Sequence, residues 1–167
     1  GTTNTAVGTN ALRYNTTASN NTAVGFNSLC ANATGVHNVA VGACALQNNT
    51  SSTNTALGYA TLYSNTTGSS NEGIGRCALN ANTTGSRNSA IGTQALSANT
   101  TGACNVAFGF LSLTANTTAS NNTAVGTESL ATNVTSVNNA AFGFCALKST
   151  TTGSNAAFGA SALRDQT

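Results

Sequence analysis

The stretch Asn21–His37, N-T-A-V-G-F-N-S-L-C-A-N-A-T-G-V-H, is repeated almost from one end of the chain to the other. Each copy opens with the pattern N-x-A-φ-G, in which φ is apolar, and successive copies begin 16 or 17 residues apart. A period of this length, kept over ten copies, indicates a solenoid in which each repeat forms one coil. The sequence therefore predicts a single solenoid repeat domain over residues 1–167. The copies begin near Asn4, Asn21, Asn38, Asn54, Asn71, Asn88, Asn105, Asn122, Asn139 and Asn155.

The composition is unusually poor in charge. Only 5% of the 167 residues are charged and the net charge is +2, whereas about a quarter of the residues of an ordinary soluble domain are charged. Such a balance argues against a nucleic-acid partner, which would need a basic surface. No apolar run approaches the roughly 18 residues of a membrane span, so no membrane insertion is expected. Charge repulsion would also do little to keep copies of the chain apart.

The repeat has a fixed order of small and large residues, numbered here from its first Asn as position 1. Position 3 is Ala except at Gly73, position 4 is Val, Leu, Ile or Phe, position 5 is Gly, and position 8 is small. Position 9 is always leucine. This predicted core ladder is Leu12, Leu29, Leu46, Leu62, Leu79, Leu96, Leu113, Leu130, Leu147 and Leu163.

The remainder of the repeat argues for strands rather than helices. Its second half is rich in Asn, Thr, Gly and Ser, which are poor helix formers, and 17 residues are too few for a two-helix repeat. In a short strand, position 4 would point into the coil, and positions 3 and 5 would form a flat outer surface. A second strand is expected at positions 8 and 9. Glycines of the polar turn would adopt left-handed conformations; these are Gly35, Gly68, Gly85, Gly102 and Gly153.

Stacking of the coils follows from this arrangement. Hydrogen-bonded strands lie about 4.8 Å apart, so ten coils would form a rod on the order of 50 Å long. The Leu column and the Val/Ile/Phe column would form its core, and the invariant Asn of position 1 would form an amide ladder. That Asn ladder is Asn4, Asn21, Asn38, Asn54, Asn71, Asn88, Asn105, Asn122, Asn139 and Asn155. The predicted fold class is all-β, a β-solenoid (β-roll or β-helix) of about ten 17-residue coils.

The unit N-T-A-V-G-x-x-A-L-x-x-N-T-T-G-S-x resembles the repeats of phage-type tail-fibre proteins and of bacterial surface proteins that carry tail-fibre domains. Its A-V-G-x-x-A core is more loosely similar to the head repeats of YadA-type trimeric autotransporter adhesins. The resemblance implies a left-handed solenoid on a cell or virion surface, often with three chains side by side.

Few residues are of the types that catalyse reactions or bind metal ions. The titratable inventory of His37, Asp165, Glu72 and Glu128 is sparse and scattered over the repeats, so we expect no catalytic site. The turns lack the carboxylates of calcium-binding rolls and no Cys/His cluster has zinc spacing, so we expect neither a metal nor another cofactor. Cys30 could form a disulfide with Cys44 on the next coil, but small apolar fillers are the favoured interpretation of the five cysteines. They are Cys30, Cys44, Cys77, Cys104 and Cys145.

Position 12 carries N-x-S/T sequons, which are N-glycosylation acceptors in secreted proteins. The alternative is a second Asn ladder that the turn requires. These asparagines are Asn15, Asn32, Asn49, Asn65, Asn82, Asn99, Asn116 and Asn133.

Two further columns are candidates for contact with a surface or a partner. Position 14 is almost always Thr, and a regular Thr array could order water as an ice-binding face, although position 13 is expected to face the other way. Position 6 carries aromatic residues in four coils, which predicts an adhesive strip or a contact between chains. These are Phe26, Tyr59, Phe110 and Phe144.

The sequence predicts a structural subunit or segment of an extracellular fibre or filament that assembles by self-association, as a homo-oligomer such as a trimer or as an end-to-end filament. One alternative is the shaft of an adhesin or phage tail fibre that presents a receptor-binding tip, with glycans or a host-surface receptor as partners. Another is an ice-binding solenoid. In the first two interpretations the chain lies outside the cell, on a cell surface or on a virion surface.

Overall fold

The computed structural model describes residues 1–165 and contains one ten-stranded parallel sheet in which strand order follows chain order. Each strand but the last pairs with its counterpart 16 or 17 residues further on, with Ala beneath Ala except where Gly73 takes that place. The predicted β-solenoid is confirmed, with about nine full turns and no helix among the described residues. Each strand contacts its immediate neighbours in the stack. The strands are β1 Thr5–Val7, β2 Thr22–Val24, β3 Val39–Val41, β4 Thr55–Leu57, β5 Glu72–Ile74, β6 Ser89–Ile91, β7 Val106–Phe108, β8 Thr123–Val125, β9 Ala140–Phe142 and β10 Ala156–Phe158.

The prediction of a second strand at positions 8 and 9 is wrong, because this side of each coil is a succession of turns. In coil 2 (coils are numbered from the Asn that begins each copy), the N–H of Asn32 donates to the carbonyl of Leu29 at 3.2 Å. The neighbouring amides still bond to the next coil: Leu29 N–H to Ala45 O at 3.0 Å and Ala31 N–H to Gln47 O at 2.9 Å. The turned side is therefore joined to its neighbours along the rod as regularly as the strand side.

Three positions per coil place a non-glycine residue in the left-handed region: positions 7, 9 and 17. Among them is every leucine of the core ladder, with φ between 47° and 53°. A left-handed conformation costs a residue with a side chain about 1–2 kcal/mol, whereas burial of a leucine contributes about 1.5–3 kcal/mol. Burial therefore offsets the strain of the leucine itself in the coils where that leucine is buried.

The turn glycines are not the left-handed residues that the sequence predicted. No positive φ occurs at Gly35, Gly68, Gly85, Gly102 or Gly153, and the left-handed residue of this turn is position 17, as at His37. At Gly35 the constraint is space, because a Cβ atom there would lie 2.0 Å from the carbonyl oxygen of Ser51.

The expected direction of the strand side chains is also wrong. Position 3 faces the interior, where Ala23 and Ala40 are completely buried, and position 4 faces solvent, where Ile91 is 39% exposed and Phe158 71% exposed. The interior is narrow, since each coil must accommodate one leucine and up to two asparagines there. A methyl group fits the remaining space at position 3, and a larger apolar side chain has to point outwards.

Two columns of buried asparagines cross-link the coils from within. In coil 6, Asn88 Nδ2 and Asn99 Nδ2 both donate to the carbonyl of Gly102, at 2.9 and 3.0 Å. Asn88 Oδ1 accepts the main-chain N–H of Asn105 in the next coil at 3.0 Å, and Asn99 Nδ2 also donates to Asn82 Oδ1 at 2.8 Å. Each of these side-chain amides therefore forms a hydrogen bond within its own coil and another to an adjacent coil. These bonds satisfy buried polar groups that water cannot reach.

One exception to the repeat shows how tightly the interior is filled. Coil 5 has Gly73 at position 3, and the preceding coil has the larger Thr61 at position 8, where most coils have Ala or Ser. A Cβ atom on Gly73 would lie 2.6 Å from Thr61 Cγ2 and 3.5 Å from Leu62 Cδ1. The extra methyl group of Thr61 therefore occupies the space that an alanine methyl fills in the other coils.

This compensation predicts a strong coupling between the two positions. Gly73→Ala alone should lower the free energy of unfolding by about 1–3 kcal/mol, because the new methyl group overpacks the interior. Thr61→Ser with Gly73→Ala should stay within about 0.5 kcal/mol of the original protein, since it restores the pair that other coils use. Denaturant unfolding of both single variants and the double variant measures the coupling; a neutral Gly73→Ala variant would contradict it.

Candidate functional site

The most distinctive surface of the rod is an exposed apolar column on the outer face of the sheet. We call this column, the ten residues of position 4, the apolar strip. Seven of its members are large apolar residues at least 37% exposed, and the rings of Phe142 and Phe158 stack with centroids 4.9 Å apart. The strip is Val7, Val24, Val41, Leu57, Ile74, Ile91, Phe108, Val125, Phe142 and Phe158.

The columns that flank the apolar strip add further apolar surface and very little charge. Position 2 lies on the same face of the strand, and position 6 lies just beyond the glycine at which the strand ends. Across both columns the charged residues are Glu72 and Arg76, at opposite edges of coil 5. The four aromatic residues of position 6 are 47–57% exposed. The sequence identified these aromatics but assigned the strip itself to the interior.

The size of this surface sets it apart from scattered apolar residues. Ten strands about 4.8 Å apart and a width of about 13 Å between positions 2 and 6 give about 550 Å². Half of the residues at positions 2 and 6 are polar, so the apolar part of this face is smaller and falls within the 300–600 Å² that is usual for the largest apolar patch of a monomeric protein. Patches of this size often mark interaction sites.

The sequon asparagines lie inside the solenoid instead of on its surface. From Asn32 to Asn133 all seven are buried, and their Nδ2 atoms donate within the interior. Asn15 in the first coil is half-buried, and its Oδ1 is buried without a hydrogen-bond partner. A glycan on the seven buried amides would have to displace the core, so this packing favours the ladder interpretation of position 12.

The threonine columns are both at the surface, contrary to the expectation that position 13 faces away from position 14. Thr84 and Thr101 at position 14 are exposed, and Thr83 at position 13 is half-buried. The position 13 hydroxyls donate to main-chain carbonyls of the next coil, as Thr83 Oγ1 does to Thr100 O at 3.0 Å. This leaves one column of free hydroxyls, so a flat two-column ice face is not formed. Ice binding stays a prediction.

The histidine and the carboxylates do not come together in a pocket among the described residues. His37 is exposed in a turn, where its Nε2 lies 3.3 Å from Asn20 Nδ2. Among residues 1–165, no group of three His, Cys, Asp or Glu side chains is arranged to hold a metal ion. All five cysteines are free thiols, and Cys30 and Cys44 are not joined.

One ion pair links neighbouring coils near the C-terminal end. Lys148 Nζ donates to Glu128 Oε2, and Cys145 Sγ lies 3.8 Å from the same carboxylate oxygen. The hydrogen bond from Lys148 lowers the pKa of the Glu128 carboxyl, and the same bond raises the pKa of Lys148. Both groups are partly exposed, so this pair contributes little to stability.

Comparison of the chain with protein-family models, with curated proteins and with solved structures gave no match. The resemblance to tail-fibre and YadA-type repeats therefore stays a prediction. Within residues 1–165, no helix has the length and apolar character needed to cross a membrane. What the structure establishes is the fold, a β-solenoid with an apolar strip along one face.

Proposed function

We propose that this chain is a structural segment of an extracellular fibre, on a cell or virion surface, in which rods associate side by side through the apolar strip. The observation that carries the proposal is the exposed Val/Leu/Ile/Phe column on a rod with only 5% charged residues. Burial of this column against another rod would remove apolar surface from water, and almost no charge would have to be desolvated.

The face that the strip and its flanking columns form is large enough for a specific contact. Two such faces, each spanning positions 2 to 6, would bury about 1,100 Å² when pressed together, just above the roughly 1,000 Å² that a specific interface needs. The surface is also straight and regular, because equivalent residues repeat at every coil. A straight apolar surface suits another rod of the same kind better than it suits a globular partner.

The two charges beside the strip favour one arrangement of the rods. Glu72 at position 2 and Arg76 at position 6 lie on opposite sides of Ile74 in the same coil. A two-fold axis that runs along the strip, parallel to the rod, places each Glu72 opposite the partner copy's Arg76. In an antiparallel pair, position 2 faces position 2, so Glu72 does not meet the partner copy's Arg76. We therefore favour parallel rods.

Growth along the rod is a second route of assembly. The outer edges of β1 and β10 have no partner strand among the described residues, and Leu163 in the last coil is 49% exposed. A further coil, from the same chain or from another copy, would pair with such an edge.

Sedimentation of the purified chain from nanomolar to high micromolar concentration tests the proposal. We expect association in the micromolar range, and we expect Ile91→Lys to weaken it at least about tenfold because a charge would be buried in the contact. Thr84→Lys adds the same charge to the exposed threonine column and should leave association unchanged. A chain that stays monomeric at all concentrations, or one that Ile91→Lys leaves unaffected, would overturn the proposal.

Charge exchange tests the parallel arrangement separately. Glu72→Arg or Arg76→Glu alone should weaken association about three- to tenfold, because like charges would then face each other across the contact. The double exchange should restore it. If the double variant associates no better than the single variants, lateral association would stand but the parallel two-fold arrangement would not.

A further inference from the structure

A groove of about 530 Å³ opens on the turned side of the rod in coils 2 to 5, and one of its members, Tyr59, also borders the apolar strip. Its volume falls in the range of 300–1,000 Å³ that is typical of small-molecule sites. Its walls include Tyr59 and Tyr63 of coil 4, with Gln47 on the coil before and Asn80 on the coil after. This groove belongs to none of the columns that build the core.

The groove exists because coil 4 departs from the other repeats. Ala60 is the smallest residue of the position 7 column, which elsewhere holds Asn, Cys, Gln, Leu, Glu or Ser. Coil 4 is also the one repeat with an aromatic residue at both position 6 and position 10, namely Tyr59 and Tyr63. Among residues 1–165, coil 4 is therefore the one coil in which a small residue at position 7 forms the floor between two large aromatic side chains.

Several polar atoms around the groove have no partner in the described chain. The hydroxyls of Tyr59 and Tyr63 and the side-chain amide of Gln47 make no hydrogen bond among residues 1–165. Asn80 uses Nδ2 to donate to Ala60 O at 2.9 Å, which leaves its Oδ1 to accept from a ligand. The amide and hydroxyl groups together offer both donors and acceptors.

The groove contains no charged side chain; its remaining members are Asn27, Cys44 and Cys77. A ligand that carries phosphate, carboxylate or ammonium groups would therefore find no counter-charge. A neutral sugar fits this chemistry, because its ring has C–H faces that pack on a tyrosine ring and hydroxyls that both donate and accept. Tyrosine supplies such a rigid amphipathic contact at low entropic cost.

We propose that this groove is a binding site for a neutral saccharide, with Tyr59 and Tyr63 as packing surfaces and Gln47 and Asn80 as hydroxyl partners. Tyr59 also borders the surface through which rods are proposed to associate, whereas Tyr63, Gln47 and Asn80 lie on the turned side. The saccharide proposal does not rest on association of the rods.

Intrinsic tyrosine fluorescence provides a direct measurement, because the chain has no Trp and two of its three tyrosines line the groove. The purified chain is titrated with hexasaccharides of glucose, mannose and N-acetylglucosamine, and with hexagalacturonate as an anionic comparison. We expect saturable binding of at least one neutral hexasaccharide, and binding of the anionic sugar at least about tenfold weaker. Absence of saturable binding by all three neutral sugars, or equal binding of the anionic one, would overturn the proposal.

Three variants locate the site. Ala60→Asn fills the floor with a residue that coils 1 and 2 carry at the same position, and its φ of 52° is one that asparagine tolerates. This variant should stay folded and lose binding, and Tyr63→Ala should weaken binding at least about tenfold. Tyr14→Ala removes the tyrosine outside the groove, beside Arg13, and should bind like the original chain. Binding that survives Ala60→Asn would overturn the assignment.

Discussion

Leu96→Ala is expected to lower the free energy of unfolding by about 2–5 kcal/mol, because it empties part of the one column of large apolar side chains that residues 1–165 place inside the solenoid. Leu96 is completely buried and its neighbours in the interior are alanines and the leucines of adjacent coils. The narrow interior has few large side chains that could move to fill the space. Denaturant unfolding monitored by circular dichroism at low protein concentration measures the loss.

Ile91→Ala in the same coil is the matched control for Leu96→Ala. Isoleucine and leucine lose the same number of carbon atoms on replacement by alanine, but Ile91 is 39% exposed on the apolar strip. We expect it to cost less than about half as much stability as Leu96→Ala, and to weaken association of rods instead. Equal losses of stability from the two variants would show that position 4 is packed as tightly as position 9, contrary to the structure.

Asn99→Asp should be at least as damaging, at about 3–5 kcal/mol near neutral pH. Asn99 Nδ2 donates to Asn82 Oδ1 at 2.8 Å and to Gly102 O at 3.0 Å, and the side chain is completely buried. A carboxylate there would place charge against two acceptor oxygens without a counter-ion, and a buried charge without a partner is costly. Unfolding midpoints at pH 7 and at pH 4 measure the effect.

The two pH values separate the charge from the lost hydrogen bonds. Burial among acceptors should raise the pKa of the introduced carboxyl, so the folded protein would bind a proton more tightly than the unfolded chain. Stability should then be partly recovered at pH 4 and lost as pH rises. Asn138→Asp is the control, because Asn138 is exposed and makes no side-chain hydrogen bond to the rest of residues 1–165. Equal effects of the two substitutions would contradict the buried ladder.

The period, the first strand of each coil, the leucine column and the asparagine ladder of position 1 could all be predicted from the sequence. These features follow from spacing and from the identity of residues that never vary among the repeats. Alternation could not predict which face of the strand points inwards. In a strand of three residues such as Ser89–Ile91, the central residue lies on one face and the two outer residues lie on the other. This pattern is the same whether the small central residue or the larger outer residues face the interior.

A signal for the correct orientation was nevertheless present in the sequence. Packed interiors tolerate little change of volume, and positions 1, 3 and 9 are nearly constant in size, whereas position 4 ranges from valine to phenylalanine. The one change at position 3, Gly73, is matched by a larger Thr61 nearby. Constancy of volume identifies the interior here better than hydrophobicity does. The same reasoning applies to the asparagines of position 12, seven of which form a buried column.

Each coil contacts only the coil before it and the coil after it, and this arrangement has a mechanical consequence. Tension applied between the two ends of the rod would load one inter-coil contact at a time, so the stack should peel stepwise rather than rupture as a whole. Each step would free one turn of about 17 residues, which is roughly 55–60 Å of extended chain. A rod of this design would lengthen many-fold before all of its coils had separated, and each separation would absorb mechanical work.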